Sequence, residues 1–283
     1  MLDLDALSPE EILSSLYNLS PGDLVVLVQS SSFRLNQFRI RIELFKRGFR
    51  VVEHPHLARL KPEEYDIYLD ALFFDESYLT KTGTYLKSAI NRCHEISLVS
   101  RSGLLRYSSR FEDAKLNIGD FSGMKNIGGQ FPIGEVFSEP VNLEQVNGTV
   151  DIFAFGDRDF SVCYPDVSFR AVISGGILVD APGSPESFRI VLEEIRKEEH
   201  QVRLRELGFG LNRAMNIHKR VSDVSVYERM NGIHLSLGGK HTLYTKPGYP
   251  KSSRFHVDIF AEVVRVDIDD QTVYHDQAYV VPP

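Results

Sequence analysis

Hydrophobic and polar positions along the chain fall into two textures. Over the first hundred or so residues, short β-branched runs alternate with helical spacing. Ser8-Pro9-Glu10-Glu11 combines a capping residue, a Pro at the first helical position and a Glu three residues on, which predicts a helix through about Tyr17. The turn at Pro21-Gly22-Asp23 leads into Leu24-Val25-Val26-Leu27-Val28, the pattern of a strand buried on both faces. Helical spacing over about 33–46 stops at Gly48, and a second strand is expected over 49–53. A third strand is expected over 65–74, then a helix over 83–94 feeding a strand at Ile96-Ser97-Leu98-Val99. Strands alternating with helices predict a parallel sheet of βαβ type. No GxGxxG or Walker-type loop follows any of them, so a nucleotide-binding version finds no support.

From about Ala114 the pattern changes to short strands punctuated by glycine, asparagine and proline. One long helix is expected from Ser184-Pro185-Glu186 to about Arg205, and later strands over 232–237, 254–266 and 272–281. The expected organisation is an α/β N-terminal domain, residues 1–112, followed by a mixed, β-rich α+β domain, residues 113–283, that carries the chemistry. Composition agrees with a soluble globular protein, at 42% hydrophobic and 25% charged residues. A net charge of −7 and a pI near 5.7 argue against a protein that tracks nucleic-acid phosphates. No apolar run approaches the roughly 18 residues of a membrane span. The acidic start MLDLDALSPEE lacks the features of a signal peptide, so a cytoplasmic location is expected. Two cysteines, Cys93 and Cys163, exclude a disulfide framework.

Candidate chemistry lies in the second half. In Arg254-Phe255-His256-Val257-Asp258-Ile259-Phe260 the strand period puts His256 and Asp258 on one face, a spacing that suits two ligands of one metal centre or an orienting hydrogen-bonded pair. In Gly232-Ile233-His234-Leu235-Ser236-Leu237 the same alternation sends His234 one way and Ile233, Leu235 and Leu237 into a core. His241 follows just after the Gly238-Gly239 turn. Glu135 and Glu206 each lie in apolar, glycine-bounded segments, where a carboxylate needs a partner. A divalent cation or a structural salt bridge would each satisfy them. His54 and His56 flank Pro55 and read as a surface turn; Arg213 reads as a surface arginine or as a carboxylate or oxyanion partner.

Four stretches, in order, resemble the thermophilic-type metallo-aminopeptidases, the aminopeptidase T family. Asn126 through Pro140, with Pro132-Ile133-Gly134-Glu135-Val136-Phe137 at its centre, is similar to that family's N-x-P-x-G-E-V-F-x-x-P stretch, with extra residues before Pro132. Glu206 to Asn212 resembles its E-x-G-x-G-x-N element. His234 to Gly238 resembles its H-x-A-L-G strand, and His256-Val257-Asp258 its terminal H-x-D strand. The resemblance implies two divalent metal ions (zinc, cobalt or manganese) held by Glu135, Glu206, His234, His256 and Asp258. The family's sixth ligand, a tyrosine, falls on His241, whose neutral imidazole is itself a ligand for such ions. It further implies catalytic roles for Glu135 and Glu206, release of N-terminal residues from peptides, and a homodimer. A second enzyme class shares the scaffold: ring-cleaving dioxygenases of dihydroxypyridine, with one iron held by two histidines and a carboxylate, here His234, His256 and Asp258. A peptide- or partner-binding relative without turnover is the third expectation. Retention of both Glu135 and Glu206 favours two metals over one.

Overall fold

The computed structural model describes residues 7–30, 34–35, 38–240, 243–244, 246 and 253–282. The chain divides into two compact units, one of Met1–Leu60 with Gly119–Pro132 and one of Lys61–Ile118 with Ile133–Pro283.

The first unit is built on a parallel sheet in the order Leu24–Val28, Arg50–His54, Gly128–Gln130. Helix Pro9–Ser15 opens with the full capping box: the Ser8 N–H donates to the Glu11 carboxylate at 2.8 Å, and the Glu11 N–H to Ser8 Oγ at 3.3 Å. Ile12, Ile40 and Leu44 from the helices pack with Leu27, Phe49 and Val51. Gly128 has φ +122°, and a Cβ there would sit 1.9 Å from the Val51 carbonyl oxygen, so the third strand needs glycine at its start. Two sequence expectations are corrected here. The Leu24–Val28 strand is not buried on both faces, because the helical cover meets the face carrying Leu27 and leaves Leu24, Val26 and Val28 exposed. The helix expected from about residue 33 spans only Ile40–Lys46, since Arg34–Leu35 and Phe38–Arg39 pair as a short hairpin instead.

The second unit holds, among the described residues, a 14-stranded sheet whose pairings are antiparallel. From Val146–Gly156 to one edge it runs Val146–Gly156, Val257–Ala261, Gly232–Leu237, Leu204–Gly210, Glu135–Ser138, Lys115–Asn117. The stretch 65–74 is a helix, Tyr65–Ala71, rather than a strand; Pro62 and two glutamates start the helical turn, and Tyr68 and Ala71, three apart, are its buried positions. The strand Ile96–Ser100 belongs to this antiparallel sheet and not to a parallel one. Only Arg101-Ser102-Gly103 separate it from Leu104–Tyr107, and so short a connection allows a hairpin but no parallel crossover. Helix Glu76–Arg92 begins at Asp75, whose side chain accepts from the Tyr78 N–H at 3.0 Å, and buries Leu79, Leu86 and Ile90. Gly83 lets that helix approach Leu116 and Ile118, which a Cβ would meet at 2.7 and 2.9 Å. The later helix spans Glu186–Glu199, with Pro185 as its cap and His200 turning out in a left-handed conformation (φ 64°). It ends before Arg205, so Arg205 and Glu206 lie on a strand. The single strand expected over 254–266 is two, Val257–Ala261 and Val263–Ile268, and 272–281 likewise splits into Gln271–His275 and Ala278–Tyr279.

Candidate metal centre

Register decides which side chains share a face of the central strands. His234 pairs with Gly208 on one side and Phe260 on the other; Ser236 pairs with Asp258; Gly210 pairs with Glu135. Residues directly opposite in an antiparallel pair point the same way, so His234, Ser236, Asp258 and Glu135 share a face. The reverse face carries Val136, Leu207, Phe209, Ile233, Leu235, Leu237 and Ile259, all buried. A core on one side thus fixes the strands whose other side carries polar groups.

Glu206 reaches that face through a bulge. Leu204 pairs with Leu237 and Leu207 with Leu235, so three steps on one strand match two on its neighbour, and Arg205 and Glu206 together oppose Ser236. The Glu206 N–H donates to Ser236 Oγ at 3.1 Å. The extra residue turns Arg205 to Glu139, which it grips through two hydrogen bonds of 2.8 and 2.9 Å while also donating to the carbonyls of Gly239 and Tyr244.

Three buried groups converge as a result. Ligand atoms of Glu135, Glu206 and His234 all lie within 4.8 Å of one another. His234 Nε2 is 3.1 Å from Glu135 Oε1 and 3.7 Å from Glu206 Oε1. The imidazole lies directly over Gly208, where a Cβ would come within 2.0 Å of Nε2. Gly210 serves a different neighbour: its Cβ would meet the Met230 carbonyl oxygen at 1.9 Å. Nδ1 of His234 makes no hydrogen bond among the described residues, while Nε2 faces both carboxylates, where a metal ion would take the place of its proton. Donors of this kind, two carboxylates and an imidazole, suit zinc, cobalt, manganese or iron. Burial alone pulls the His234 pKa down; Glu135 and Glu206 outweigh it and push it up to about 10.

His256 and Asp258 form an adjacent pair, with His256 Nε2 3.2 Å from Asp258 Oδ1. Burial lowers the His256 pKa, and Asp258 raises it further than that, to about 10. Both residues line the same cavity as Glu135 and Glu206, a space of about 550 Å³ with an apolar wall that includes Phe160, Val191 and Phe255. His241 lies outside the described residues. Tyr244, the described tyrosine nearest to it in sequence, donates its hydroxyl to the Asp113 carbonyl at 2.9 Å. Arg213 is a surface residue, stacked 4.1 Å from the Tyr78 ring and paired with Asp75.

Two residues at the cavity escaped the sequence reading. The short helix Val224–Tyr227, capped by Asp223, delivers Glu228 and Arg229 to the cluster. Arg229 Nη1 lies 2.7 Å from Glu135 Oε2 and 2.5 Å from Glu228 Oε1. Burial works against the arginine's charge, and Glu135 and Glu228 more than restore it. Burial raises the Glu228 pKa against the opposing pull of Arg229. The available signal was an adjacent acid–base pair three residues before the His234 strand, which no ligand spacing marks out.

No known protein family's sequence profile matches this chain, and no curated protein matches it in sequence. Solved structures do share its fold. The 2,5-dihydroxypyridine dioxygenase from Pseudomonas putida KT2440 is similar over 96% of this chain and 76% of its own, at 16% identity and a TM-score of 0.63. AmpT, the aminopeptidase T of Thermus thermophilus, is similar over 99% of this chain and 83% of its own, at 14% identity and a TM-score of 0.61. The likeness to the aminopeptidase T family expected from sequence therefore holds at the level of the fold.

Proposed function

We propose that this chain is a metal-dependent hydrolase of the aminopeptidase type, which releases N-terminal residues from peptides. The observation that carries this reading is the convergence of Glu135, Glu206 and His234, two carboxylates and an imidazole whose ligand atoms lie within 4.8 Å of one another, with both glutamates lining a cavity. These three would hold one divalent ion; His256 and Asp258, with Glu206, would hold a second. Bound there, zinc, cobalt or manganese supplies Lewis acidity toward a carbonyl oxygen and makes water a nucleophile at neutral pH.

The chain's own groups supply the rest. Glu135, Glu206 and Asp258 line the cavity together with the cations Arg158, Lys240 and Arg254, so groups of both signs stand ready for the α-amine and the main chain of a peptide. Phe160, Val191 and Phe255 offer an apolar wall to the first side chain. Glu135 and Glu206 are the carboxylates that would hold the ions and pass a proton to the leaving amine. A homodimer and a cytoplasmic location are part of the same proposal; no helix among the described residues is long and apolar enough to cross a membrane.

A second reading is a ring-cleaving dioxygenase with a single iron on His234, His256 and Asp258, favoured by the shared fold with the dihydroxypyridine enzyme. Against it stands the position of both glutamates beside His234. The test is one protein sample, loaded separately with zinc, cobalt, manganese or iron. Chelator-sensitive loss of N-terminal residues from a peptide panel, followed by mass spectrometry and abolished in Glu206→Ala, is the expected result. Oxygen uptake on a dihydroxylated ring with iron, without peptide cleavage, would establish the second reading, and neither activity would leave a peptide- or partner-binding protein.

A further inference from the structure

The cluster contains a cation of its own. Arg229 is buried to within 7% of its surface, and its Nη1 lies between Glu135 Oε2 at 2.7 Å and Glu228 Oε1 at 2.5 Å. Glu135 therefore faces two ways: Oε2 toward the arginine, Oε1 toward His234 Nε2 at 3.1 Å. An isolated carboxylate can rotate and offer either oxygen or both. One held at one oxygen by a buried guanidinium turns the other toward its remaining neighbour.

We propose that Arg229 is a positioning residue for metal binding, which holds Glu135 by one oxygen so that the other is aimed at the ion beside His234, with Glu228 holding Arg229 in turn. This inference rests on the metal-site reading above and adds to it an outer support that no ligand spacing reveals. Two effects of Arg229 on a bound cation oppose each other. Its charge repels the ion, and its grip orders the ligand. Sharing the guanidinium between two carboxylates reduces the first effect, whereas loss of a partner that orients a ligand typically weakens metal affinity about 10–100-fold. The ordering effect wins, and the sign is fixed: removing Arg229 weakens binding.

Geometry at neighbouring residues supports a built arrangement rather than a chance contact. Gly210 lies under the Arg229–Met230 backbone, where a Cβ would come within 2.8 Å of the Arg229 carbonyl carbon. The Asn212 N–H donates to the Arg229 carbonyl at 2.8 Å, and the Arg229 N–H to that of Val226 at 3.2 Å. The arginine's main chain is thus fixed from two sides before its side chain enters the cluster.

Zinc and manganese affinity, measured by competition with a chromophoric chelator, tests the idea on the full chain without any need for a substrate. The variants are Arg229→Gln, Arg229→Lys, Glu135→Gln and the double variant Arg229→Gln/Glu135→Gln, each checked for folding by circular dichroism. Expected is a loss of about 10–100-fold in Arg229→Gln, a smaller loss in Arg229→Lys, and no further loss when Arg229→Gln is added to Glu135→Gln. Unchanged or tighter binding in Arg229→Gln, or losses that multiply in the double variant, would overturn it. Should Arg229→Gln fail to fold, Arg229→Lys decides, with unchanged affinity counting against. A wild-type chain that binds no metal would overturn the metal-site reading itself, a result distinct from normal binding that ignores Arg229.

Discussion

At an imidazole set between two carboxylates, a proton and a metal ion compete for the ring nitrogen. In the metal-free protein the His234 pKa stands at about 10, with burial opposing the charge and Glu135 and Glu206 prevailing. In the unfolded chain it returns to about 6.5. A pKa raised by folding contributes stability that is complete below about 6.5 and fades as pH rises through about 10. His256, raised to about 10 by Asp258 against burial, acts in the same direction. The midpoint of thermal unfolding of chelator-stripped protein should therefore fall between pH 7 and 10. A divalent ion needs the neutral ring, so its apparent affinity should rise over the same window, by about tenfold per unit for each proton released. Calorimetry in buffers of different ionisation heat measures that release; affinity independent of pH would contradict the protonated state. At this scale the sequence was legible where period-two alternation operates, at His234 and at His256 with Asp258. It was silent on Glu228 and Arg229, because a residue that touches a ligand's far oxygen leaves no spacing of its own.

Strands bring the candidate ligands together, and two details of the strands do most of this. One is the bulge at Arg205–Glu206, which puts consecutive residues to different uses. The other is the pair of glycines at 208 and 210, which act on different neighbours. A Cβ at 208 meets the His234 ring at 2.0 Å, and one at 210 meets the Met230 main-chain oxygen at 1.9 Å. Gly208→Ala should leave a folded protein whose metal affinity falls more than about tenfold, as expected when a ligand is displaced. Gly210→Ala has backbone in its way and should cost about 1–3 kcal/mol of stability or more, the range for overpacking a core. Chemical denaturation and metal titration of the two variants separate these outcomes, and equal behaviour would argue against distinct roles. Helix caps and short strands were readable from sequence, as with Ser8 to Glu11 and Gly232–Leu237. Residues 65–74 were misread because an apolar run of that length fits either period, and tertiary burial of Tyr68 and Ala71 chose the helical one. Ile96–Ser100 was recognised as a strand, but its partner depends on the length of the following turn, which outweighs the alternation that precedes it.

On the scale of the molecule, a parallel sheet with helices comes first and a large antiparallel sheet follows, as the two textures of the sequence predict in kind, though residues 61–112 belong with the antiparallel sheet. The same fold serves an aminopeptidase and a dioxygenase at 14% and 16% identity to this chain, so the fold narrows the chemistry without choosing it. The choice falls to the buried cluster and the ion it holds. Metal content per chain, measured by mass spectrometry on protein purified without a metal-affinity tag and set beside Glu206→Ala and His234→Ala, is the most direct measurement. About two zinc, cobalt or manganese ions per chain, lost from both variants while their folded spectra persist, is the expected result. A folded wild-type chain that takes up no divalent metal even when it is added back would contradict the central claim.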